Sequence, residues 1–284
     1  MERIGVIGCG LMGSGIAEVC ARAGLEVVVL ELDNGSLARG RDRVLASLDR
    51  ARDSGKLTAL DAHTASQRLH FGVDFADLSA LTFVIEAVGE DERLKREVFG
   101  RLDETVHDRA AIFATNTSSI PIATMAAMTT RPENVIGLHF FNPVPVMRLV
   151  EVTASLLTSP RTIALARDLA SRRLGKTPIA SPDRAGFVVN ALLVPYLLSA
   201  VRMVEAHVAT AEDVDAGMTL GCAHPMGPLA LTDLIGLDTT AAVAESLFAE
   251  FREPHFATPP LLARMIAAGQ LGRKSGQGFY SYPR

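Results

Sequence analysis

The sequence is poor in aromatic residues and in cysteine. Phe, Tyr and Trp together make up 5% of its 284 residues, and Trp is absent, which argues against a surface that stacks on bases. The three cysteines, Cys9, Cys20 and Cys222, are an odd number at unrelated spacings. This pattern argues against a secreted disulfide framework and favours the reducing cytoplasm.

The sequence also lacks an excess of charge and a long unbroken apolar run. It has 28 basic and 32 acidic residues and a net charge of −4, so nothing indicates a nucleic-acid partner. The most apolar stretch, 185–204, is interrupted by Asn190, Pro195 and Arg202. We therefore expect a buried helix there and no membrane span, which requires about 20 nearly unbroken apolar residues.

The first part of the chain alternates short apolar runs with helical patterns. Near-continuous apolar strands in this rhythm are typical of a parallel sheet covered on both faces. We predict an α/β fold, a Rossmann-like doubly wound and mostly parallel sheet, followed by an all-α C-terminal domain. The predicted strands are Arg3–Ile7, Glu26–Glu31, Thr82–Ala87, Ala111–Ala114, Val135–His139 and Arg148–Thr153.

After residue 183 the pattern becomes helical, so we place the boundary between a domain 1–183 and a domain 184–284 there. Pro182 and Asp183 are interpreted as the exit from a strand and the cap of the next helix. The predicted helices of the second domain are Ala185–His207, Ala211–Thr219, Leu229–Phe251 and Pro259–Ala268.

A glycine-rich segment, Gly8-Cys-Gly10-Leu-Met-Gly13-Ser-Gly15, lies between the first strand and the first helix. In this context it predicts a dinucleotide site, with the helix N-terminus facing the pyrophosphate. Glu31, at the end of the second strand, is the acid expected to bind the ribose hydroxyls. A carboxylate there would repel the 2′-phosphate of NADP, so we favour NAD; Asp33 is the alternative acid.

Polar residues follow several strands at the carboxyl ends, where ligands of open α/β sheets bind. His139 ends one apolar strand, and Glu151 lies in the next, so a short connection could bring imidazole and carboxylate into hydrogen-bonding distance. The segment Asn116-Thr-Ser118-Ser119 follows another strand. A helix cap is the ordinary role for its serines, and a site residue is the alternative. Asn190 lies in an otherwise apolar helix, where its amide requires a partner or a cleft.

These motifs together resemble the short-chain 3-hydroxyacyl-CoA dehydrogenases, and most closely the bacterial 3-hydroxybutyryl-CoA dehydrogenases. The resemblance runs from residue 4 to the end of the chain. Besides the glycine-rich segment and Asn116–Ser119, the motifs that carry it are Ile85-Glu-Ala-Val-Gly-Glu90 with Lys95, Gly137-Leu-His-Phe-Phe-Asn-Pro-Val-Pro-Val-Met147, Gly186-Phe-Val-Val-Asn190, His224-Pro-Met-Gly-Pro-Leu229 and Gly272-Arg-Lys-Ser-Gly-Gln-Gly-Phe-Tyr280. The segment Gly89-Glu90-Asp91 departs from the usual pattern of the family.

The resemblance implies a role for each matching residue. His139 would be the general base and Glu151 the carboxylate that orients it, while Ser118 and Asn190 would complete the catalytic site. Substrate contacts would come from Ser118, Asn142, Asn190 and Lys56, which lies near the CoA end; Lys56 and Lys95 are the candidate local positive charges for the anionic CoA. The residues implied for the cofactor are Gly8, Gly10, Leu11, Met12, Gly13, Glu31, Glu90, Lys95 and Asn116.

The resemblance implies an NAD-dependent enzyme that converts (3S)-3-hydroxyacyl-CoA to 3-oxoacyl-CoA, in a cytoplasmic homodimer formed by the C-terminal domains. A dehydrogenase of free β-hydroxyacids is a rival, but its helical G-x-x-x-K motif is missing from 186–196. The alternative from another class is a dinucleotide-binding protein of the same fold without catalytic activity. We expect no metal site, because the chain lacks C-x-x-C and H-E-x-x-H motifs.

Overall fold

A computed structural model describes residues 3–283 of the chain. Contacts between Cα atoms divide the chain into two units, 1–183 and 184–284. Each unit has its own cluster of buried apolar side chains. No helix within residues 3–283 is both long enough and apolar enough to cross a membrane.

The first unit is built on one sheet of eight strands, in the order β3-β2-β1-β4-β5-β6-β7-β8. All neighbouring strands are parallel except β6 and β7, which are antiparallel. The strands are β1 (Arg3–Ile7), β2 (Glu26–Leu30), β3 (Leu69–Gly72), β4 (Phe83–Glu86), β5 (Ile112–Thr115), β6 (Val135–Phe140), β7 (Leu149–Ala154) and β8 (Thr177–Pro182). The strand order reverses between β1 and β4, so a ligand crevice is expected beyond their carboxyl ends.

Most helices of the first unit begin at recognisable side-chain caps. The Asp33 carboxylate accepts the Ser36 N–H at 2.8 Å, and the Thr58 hydroxyl accepts the Asp61 N–H at 3.0 Å. Such caps satisfy N–H groups that have no partner inside the helix. The helices are α1 (Leu11–Arg22), α2 (Asn34–Asp53), α3 (Ala59–Gln67), α4 (Glu92–Thr105), α5 (Ile122–Ala126) and α6 (Pro160–Asp168).

The predicted fold class is confirmed, but two strands are absent from the sequence prediction. Both β3 and β8 lie at an edge of the sheet. The half-exposed β3 carries His70, and β8 contains Pro178 and Pro182. An edge strand tolerates polar residues and proline because one of its sides makes no ladder hydrogen bonds, and these residues obscure the apolar pattern.

The second unit is helical, with two differences from the predicted helices. The helix expected from Ala185 begins at Val189, because Gly186 and Phe187 have φ angles of 73° and 50° and form a turn. The helix expected over Leu229–Phe251 is divided at Gly236, whose φ is 105°. The helices are α7 (Val189–Glu205), α8 (Ala211–Gly221), α9 (Pro228–Ile235), α10 (Leu237–Phe251) and α11 (Pro260–Ala267).

Two predicted helix caps are wrong. Asp183 does not cap the helix that follows it; its carboxylate accepts the N–H groups of Ile122 and Ala123 at 2.6 and 2.9 Å. It therefore caps α5, which lies about 60 residues earlier in the chain. For the same reason Ser118 and Ser119 are not needed as caps of α5. Caps that come from a distant segment cannot be recognised from local spacing.

Candidate active site

The glycine-rich loop between β1 and α1 has the geometry that a dinucleotide requires. A Cβ added to Gly13 would lie 1.7 Å from the Gly8 carbonyl oxygen, so only glycine permits this close packing. A Cβ on Gly10, by contrast, would have no heavy atom within 4 Å. The backbone at Gly10 thus faces open space, as expected where a pyrophosphate approaches a helix N-terminus.

The start of α1 and the end of β2 complete this side of the crevice. No side chain caps α1 at Gly10, so its first N–H groups can bind an anion. Leu11 is 62% exposed, and Met12 beside it is partly buried. The Glu31 carboxylate accepts the Cys9 N–H at 2.5 Å, which places an acid directly at the glycine-rich loop. This arrangement fits NAD.

A buried ion pair lies across the crevice, at the carboxyl end of β4. Glu86 is fully buried and accepts hydrogen bonds from Lys95 Nζ at 2.7 Å and from Thr115 Oγ1 at 2.6 Å. Lys95 is only 1% exposed and also lies 3.4 Å from the Glu90 carboxylate. An ammonium held between two carboxylates inside the protein is not available to bind a phosphate group. The expectation that Lys95 supplies local charge for CoA is therefore wrong.

Glu90 holds the loop that follows β5. Its carboxylate accepts the Thr117 hydroxyl at 2.5 Å, the Ser118 N–H at 2.9 Å and the Ser119 N–H at 3.1 Å. Burial raises the pKa of Glu90, but the Lys95 charge and these hydrogen bonds outweigh burial and bring the pKa below its usual range. Glu90 therefore stays ionised at neutral pH and acts as a fixed acceptor for the loop.

His139 and Glu151 face each other across the antiparallel pair β6–β7. The strand register places the two residues directly opposite, and His139 Nδ1 lies 2.7 Å from the Glu151 carboxylate. His139 is 7% exposed and Glu151 is fully buried, so water screens their interaction only weakly. The ring of Phe141 packs against the imidazole, with 4.6 Å between centroids. A carboxylate on Nδ1 fixes the tautomer and the orientation of the imidazole.

Asn116 connects β5 with β6. Its side-chain oxygen accepts the Phe140 N–H at 2.9 Å, and its own N–H bonds to the Glu86 carbonyl at 2.8 Å. Asn116 therefore holds the backbone beside His139.

The remaining predicted residues belong to other segments of the chain. Asn142 is exposed in the loop after β6, and Lys56 is exposed in the turn between α2 and α3. Asn190 is the second residue of α7, in the other unit, and is partly buried.

Sequence reasoning missed Glu86, Thr115 and Thr117 as residues of this site. A signal existed for Glu86, because a glutamate that ends an apolar strand requires a partner, and Lys95 follows nine residues later. Thr115 and Thr117 had no such signal, because their role depends on β5 lying beside β4.

Comparison with known proteins identifies the family. Residues 3–184 match the model of the 3-hydroxyacyl-CoA dehydrogenase NAD binding domain, and residues 186–282 match the C-terminal domain model. The chain is 55% identical to the 3-hydroxybutyryl-CoA dehydrogenase of Mycobacterium tuberculosis over 282 residues, 99% of each chain. It is 44% identical to a probable 3-hydroxybutyryl-CoA dehydrogenase of Deinococcus radiodurans, covering 99% of this chain and 100% of that one.

Solved structures agree. The crystal structure of FadB2 from M. tuberculosis has a TM-score of 0.99 at 55% identity and covers 100% of this chain and 99% of that one. The (S)-3-hydroxybutyryl-CoA dehydrogenase of Ralstonia eutropha has a TM-score of 0.94 at 44% identity, with 100% of both chains covered. The predicted resemblance is thus confirmed: the chain belongs to the 3-hydroxyacyl-CoA dehydrogenase family, and its first unit is an NAD-binding domain.

Proposed function

We propose that this enzyme interconverts (3S)-3-hydroxybutyryl-CoA and acetoacetyl-CoA with NAD, using His139 and Glu151 as its acid–base pair. The names of relatives at 55% and 44% identity support the substrate class. The observation that carries the mechanism is the buried 2.7 Å contact between imidazole and carboxylate at the carboxyl end of β6.

In the oxidation direction, His139 would take the proton of the substrate hydroxyl. Because Nδ1 is bonded to Glu151, Nε2 is the nitrogen assigned to this proton. Bound NAD supplies the hydride acceptor. Glu151 stabilises the imidazolium that results, and in the reverse direction His139 returns the proton to the carbonyl oxygen. A positioned base of this kind contributes about 10²–10⁴ in rate.

Ser118 is proposed to bind the reacting oxygen, together with Asn190, and Asn142 is proposed as a further substrate contact. The Ser118 N–H is fixed on Glu90 at 2.9 Å, whereas its hydroxyl lies 3.5 Å from the same oxygen. A contact of that length is weak, so turning the hydroxyl toward a substrate costs little. Glu90 thus fixes the backbone of Ser118 and leaves its hydroxyl able to bind the reacting oxygen of the substrate.

The cofactor is proposed to bind at Gly8, Gly10, Leu11, Met12 and Gly13 and at Glu31, with Asn116, Glu90 and Lys95 supporting the opposite side. The preference for NAD over NADP is supported by Glu31, whose carboxylate at the glycine-rich loop would repel an additional phosphate group.

A basic groove in the first unit is the proposed site for the phosphate groups of CoA. The groove has a volume of about 510 Å³ and is lined by Arg22, Arg68, Arg173 and Lys176, with one acid, Asp61. Burial and the neighbouring Arg22 charge lower the pKa of Lys176, as expected where positive charges crowd together. The turn that carries Lys56 contributes its neighbour Leu57 to the groove.

The homodimer is proposed to form through the second unit. Leu192 and Met203 of α7 and Leu220 of α8 are 74%, 41% and 86% exposed, and large apolar side chains exposed on neighbouring helices are candidates for an interface. Sedimentation of the purified protein tests this, since a monomer at micromolar concentration would contradict it. A cytoplasmic location is supported by Cys9, Cys20 and Cys222, which are free thiols, as is usual for proteins of a reducing compartment.

The decisive assay follows the loss of NADH absorbance with acetoacetyl-CoA as substrate, with NADPH in a parallel reaction. We expect turnover with NADH and little with NADPH. Binding of NADH without turnover would instead support the alternative of a non-catalytic dinucleotide-binding protein.

The basic groove is tested with Arg173→Gln, using Arg172→Gln as the matched control because Arg172 is not in the groove and is 83% exposed. We expect Arg173→Gln to raise the KM for acetoacetyl-CoA about three- to tenfold. The KM for acetoacetyl-pantetheine, which lacks the nucleotide, should not change. Equal effects on both substrates would reject the groove as the phosphate site.

A further inference from the structure

Glu86 is a buried carboxylate at the end of β4 for which the proposed proton transfer has no use. It has no exposed surface, and burying a charge is costly unless it is paired and hydrogen-bonded. Its position is notable because β4 borders the point where the strand order reverses. The next residue, Ala87, packs closely against the glycine-rich loop: a Cβ added to Gly8 would lie 2.7 Å from the Ala87 carbonyl oxygen.

Three different segments donate hydrogen bonds to this one carboxylate. Lys95 from α4 donates at 2.7 Å, Thr115 from β5 at 2.6 Å and the Val88 N–H of the crevice wall at 2.6 Å. The bonds from Lys95 and Val88 fix segments outside the strand ladders, whereas Thr115 already pairs with Glu86 and Gly137 in the sheet and its bond orients the Glu86 carboxylate.

From Glu86 the contacts continue in two directions. Through Lys95 they reach Glu90 at 3.4 Å, and Glu90 holds the N–H of Ser118. Through Thr115 they reach Asn116, the next residue, whose amide oxygen holds the Phe140 N–H beside His139. One carboxylate is therefore connected to both sides of the proposed catalytic site, by polar contacts through Lys95 and Glu90 on one side and through the Thr115–Asn116 backbone on the other.

We propose that Glu86 is a positioning residue for the reaction: its carboxylate sets the relative placement of the Ser118 loop, the backbone beside His139 and the crevice wall at Val88. This inference rests on the proposed function. Glu86 touches none of the proposed reacting groups and acts through Lys95, Thr115 and Val88. Small misplacements of catalytic groups cost up to about 10²-fold in rate.

The same unit contains a suitable comparison, the ion pair of Asp103 and Arg131. Arg131 is 2% exposed, and its Nε lies 2.7 Å from Asp103. Its other bonds go to the backbone carbonyls of Asp103, Val106 and Asp108. This pair is charged like Glu86–Lys95 and mostly buried, with Asp103 at 10% exposure. None of the hydrogen bonds named above joins it to a residue of the proposed site, so it controls for the loss of a largely buried charge.

The experiment compares Glu86→Gln, Glu86→Asp and Asp103→Asn in the full-length protein. For each variant the melting temperature, the NADH dissociation constant from fluorescence, and kcat and KM with acetoacetyl-CoA are measured. We expect both Glu86→Gln and Asp103→Asn to lower the melting temperature. Only Glu86→Gln should lower kcat, by about 10- to 100-fold with KM within about threefold, and Glu86→Asp, which keeps the charge, should recover part of the loss.

A kcat of Glu86→Gln within about twofold of wild type, or an equal loss in Asp103→Asn, would overturn the proposal. If Glu86→Gln does not fold, Thr115→Val removes one of the three bonds and is expected to lower kcat about three- to tenfold, with an unchanged kcat counting against the proposal. Failure of the proposed function is distinguishable, because the wild type would then be inactive. In that case the NADH dissociation constants would still test Glu86. Weaker NADH binding in Glu86→Gln than in Asp103→Asn would support a positioning role, and equal binding would count against it.

Discussion

Both units of the chain contain buried carboxylates, but the two units use them for different partners. In the first unit, Glu86 and Glu151 are fully buried and accept hydrogen bonds from an ammonium and an imidazole. In the second unit, Asp215 and Asp233 are 8% and 1% exposed. They accept hydrogen bonds from the backbone N–H groups of Leu229, Ala230, Phe279 and Tyr280 and from the hydroxyls of Tyr280 and Tyr282.

The difference separates a carboxylate that pairs with a proton-exchanging imidazole, Glu151, from carboxylates that fix the position of a segment, which in the first unit include Glu86. A carboxylate that binds backbone N–H groups fixes where a segment lies, and in the second unit Asp215 fixes the start of α9 while Asp233 fixes the C-terminal tail. Burial and Asp215 raise the pKa of the Tyr280 hydroxyl, so this group remains a neutral donor. A carboxylate that binds one nitrogen of an imidazole fixes which nitrogen is left to exchange a proton with a substrate. The following predictions test this division.

The largest effect is expected from His139→Gln. Glutamine keeps a polar side chain opposite Glu151 but cannot exchange a proton, so turnover with acetoacetyl-CoA should fall by about 10²–10⁴ or more. The melting temperature and the NADH dissociation constant should stay close to those of wild type. Near-normal turnover in this variant would remove His139 and Glu151 from the mechanism.

Asp233→Ala is expected to have the opposite profile. It leaves two N–H groups of the tail and the Tyr282 hydroxyl without their acceptor, which should lower the free energy of unfolding by about 3 kcal/mol. Denaturant unfolding measures this loss, and Asp233→Asn, which keeps one acceptor oxygen, should lose less. If the folded variant instead lost turnover while keeping its stability, the division between the units would be wrong.

Sequence reasoning reached the fold class because the central strands, such as Val27 to Leu30, are continuously apolar and buried. It reached His139 and Glu151 because a short connection joins their strands. It missed the edge strands, where polar residues and proline interrupt the pattern. It also missed the contact between Glu86 and Thr115. That contact depends on β4 lying beside β5 in the sheet, and the spacing of residues along the chain does not show which strands are neighbours.

Glycines extend the comparison between the two units. A Cβ on Gly10 would meet no heavy atom within 4 Å, whereas a Cβ on Gly227 would lie 2.2 Å from Asp215 Cγ. We therefore expect Gly10→Ala to keep the melting temperature and to weaken NADH binding about tenfold, because the methyl group would occupy the approach of the pyrophosphate.

Gly227→Ala should instead lower the free energy of unfolding by about 1–3 kcal/mol and leave NADH affinity of the folded protein unchanged. Fluorescence titration and thermal unfolding of the two variants measure both quantities. The reverse pattern would show that Gly10 serves packing and not cofactor approach.

The smallest effect is expected for an ion pair of the second unit that is not buried, Lys274 with Asp238. Their side chains are 47% and 40% exposed, so Lys274→Met should lower the free energy of unfolding by only about 0–1 kcal/mol.

Burial raises the pKa of Asp238, but the Lys274 hydrogen bond outweighs it and brings the pKa below its usual value of 3.8. A carboxyl whose pKa is lowered by folding contributes stability above its unfolded pKa, and this contribution disappears as the pH falls through the folded value. The difference in unfolding free energy between wild type and Lys274→Met should therefore be constant from neutral pH down to about pH 5 and shrink in stronger acid. A difference as large as that of Asp233→Ala would show that exposure does not separate the two carboxylates, and that burial is not what gives Asp233 its importance.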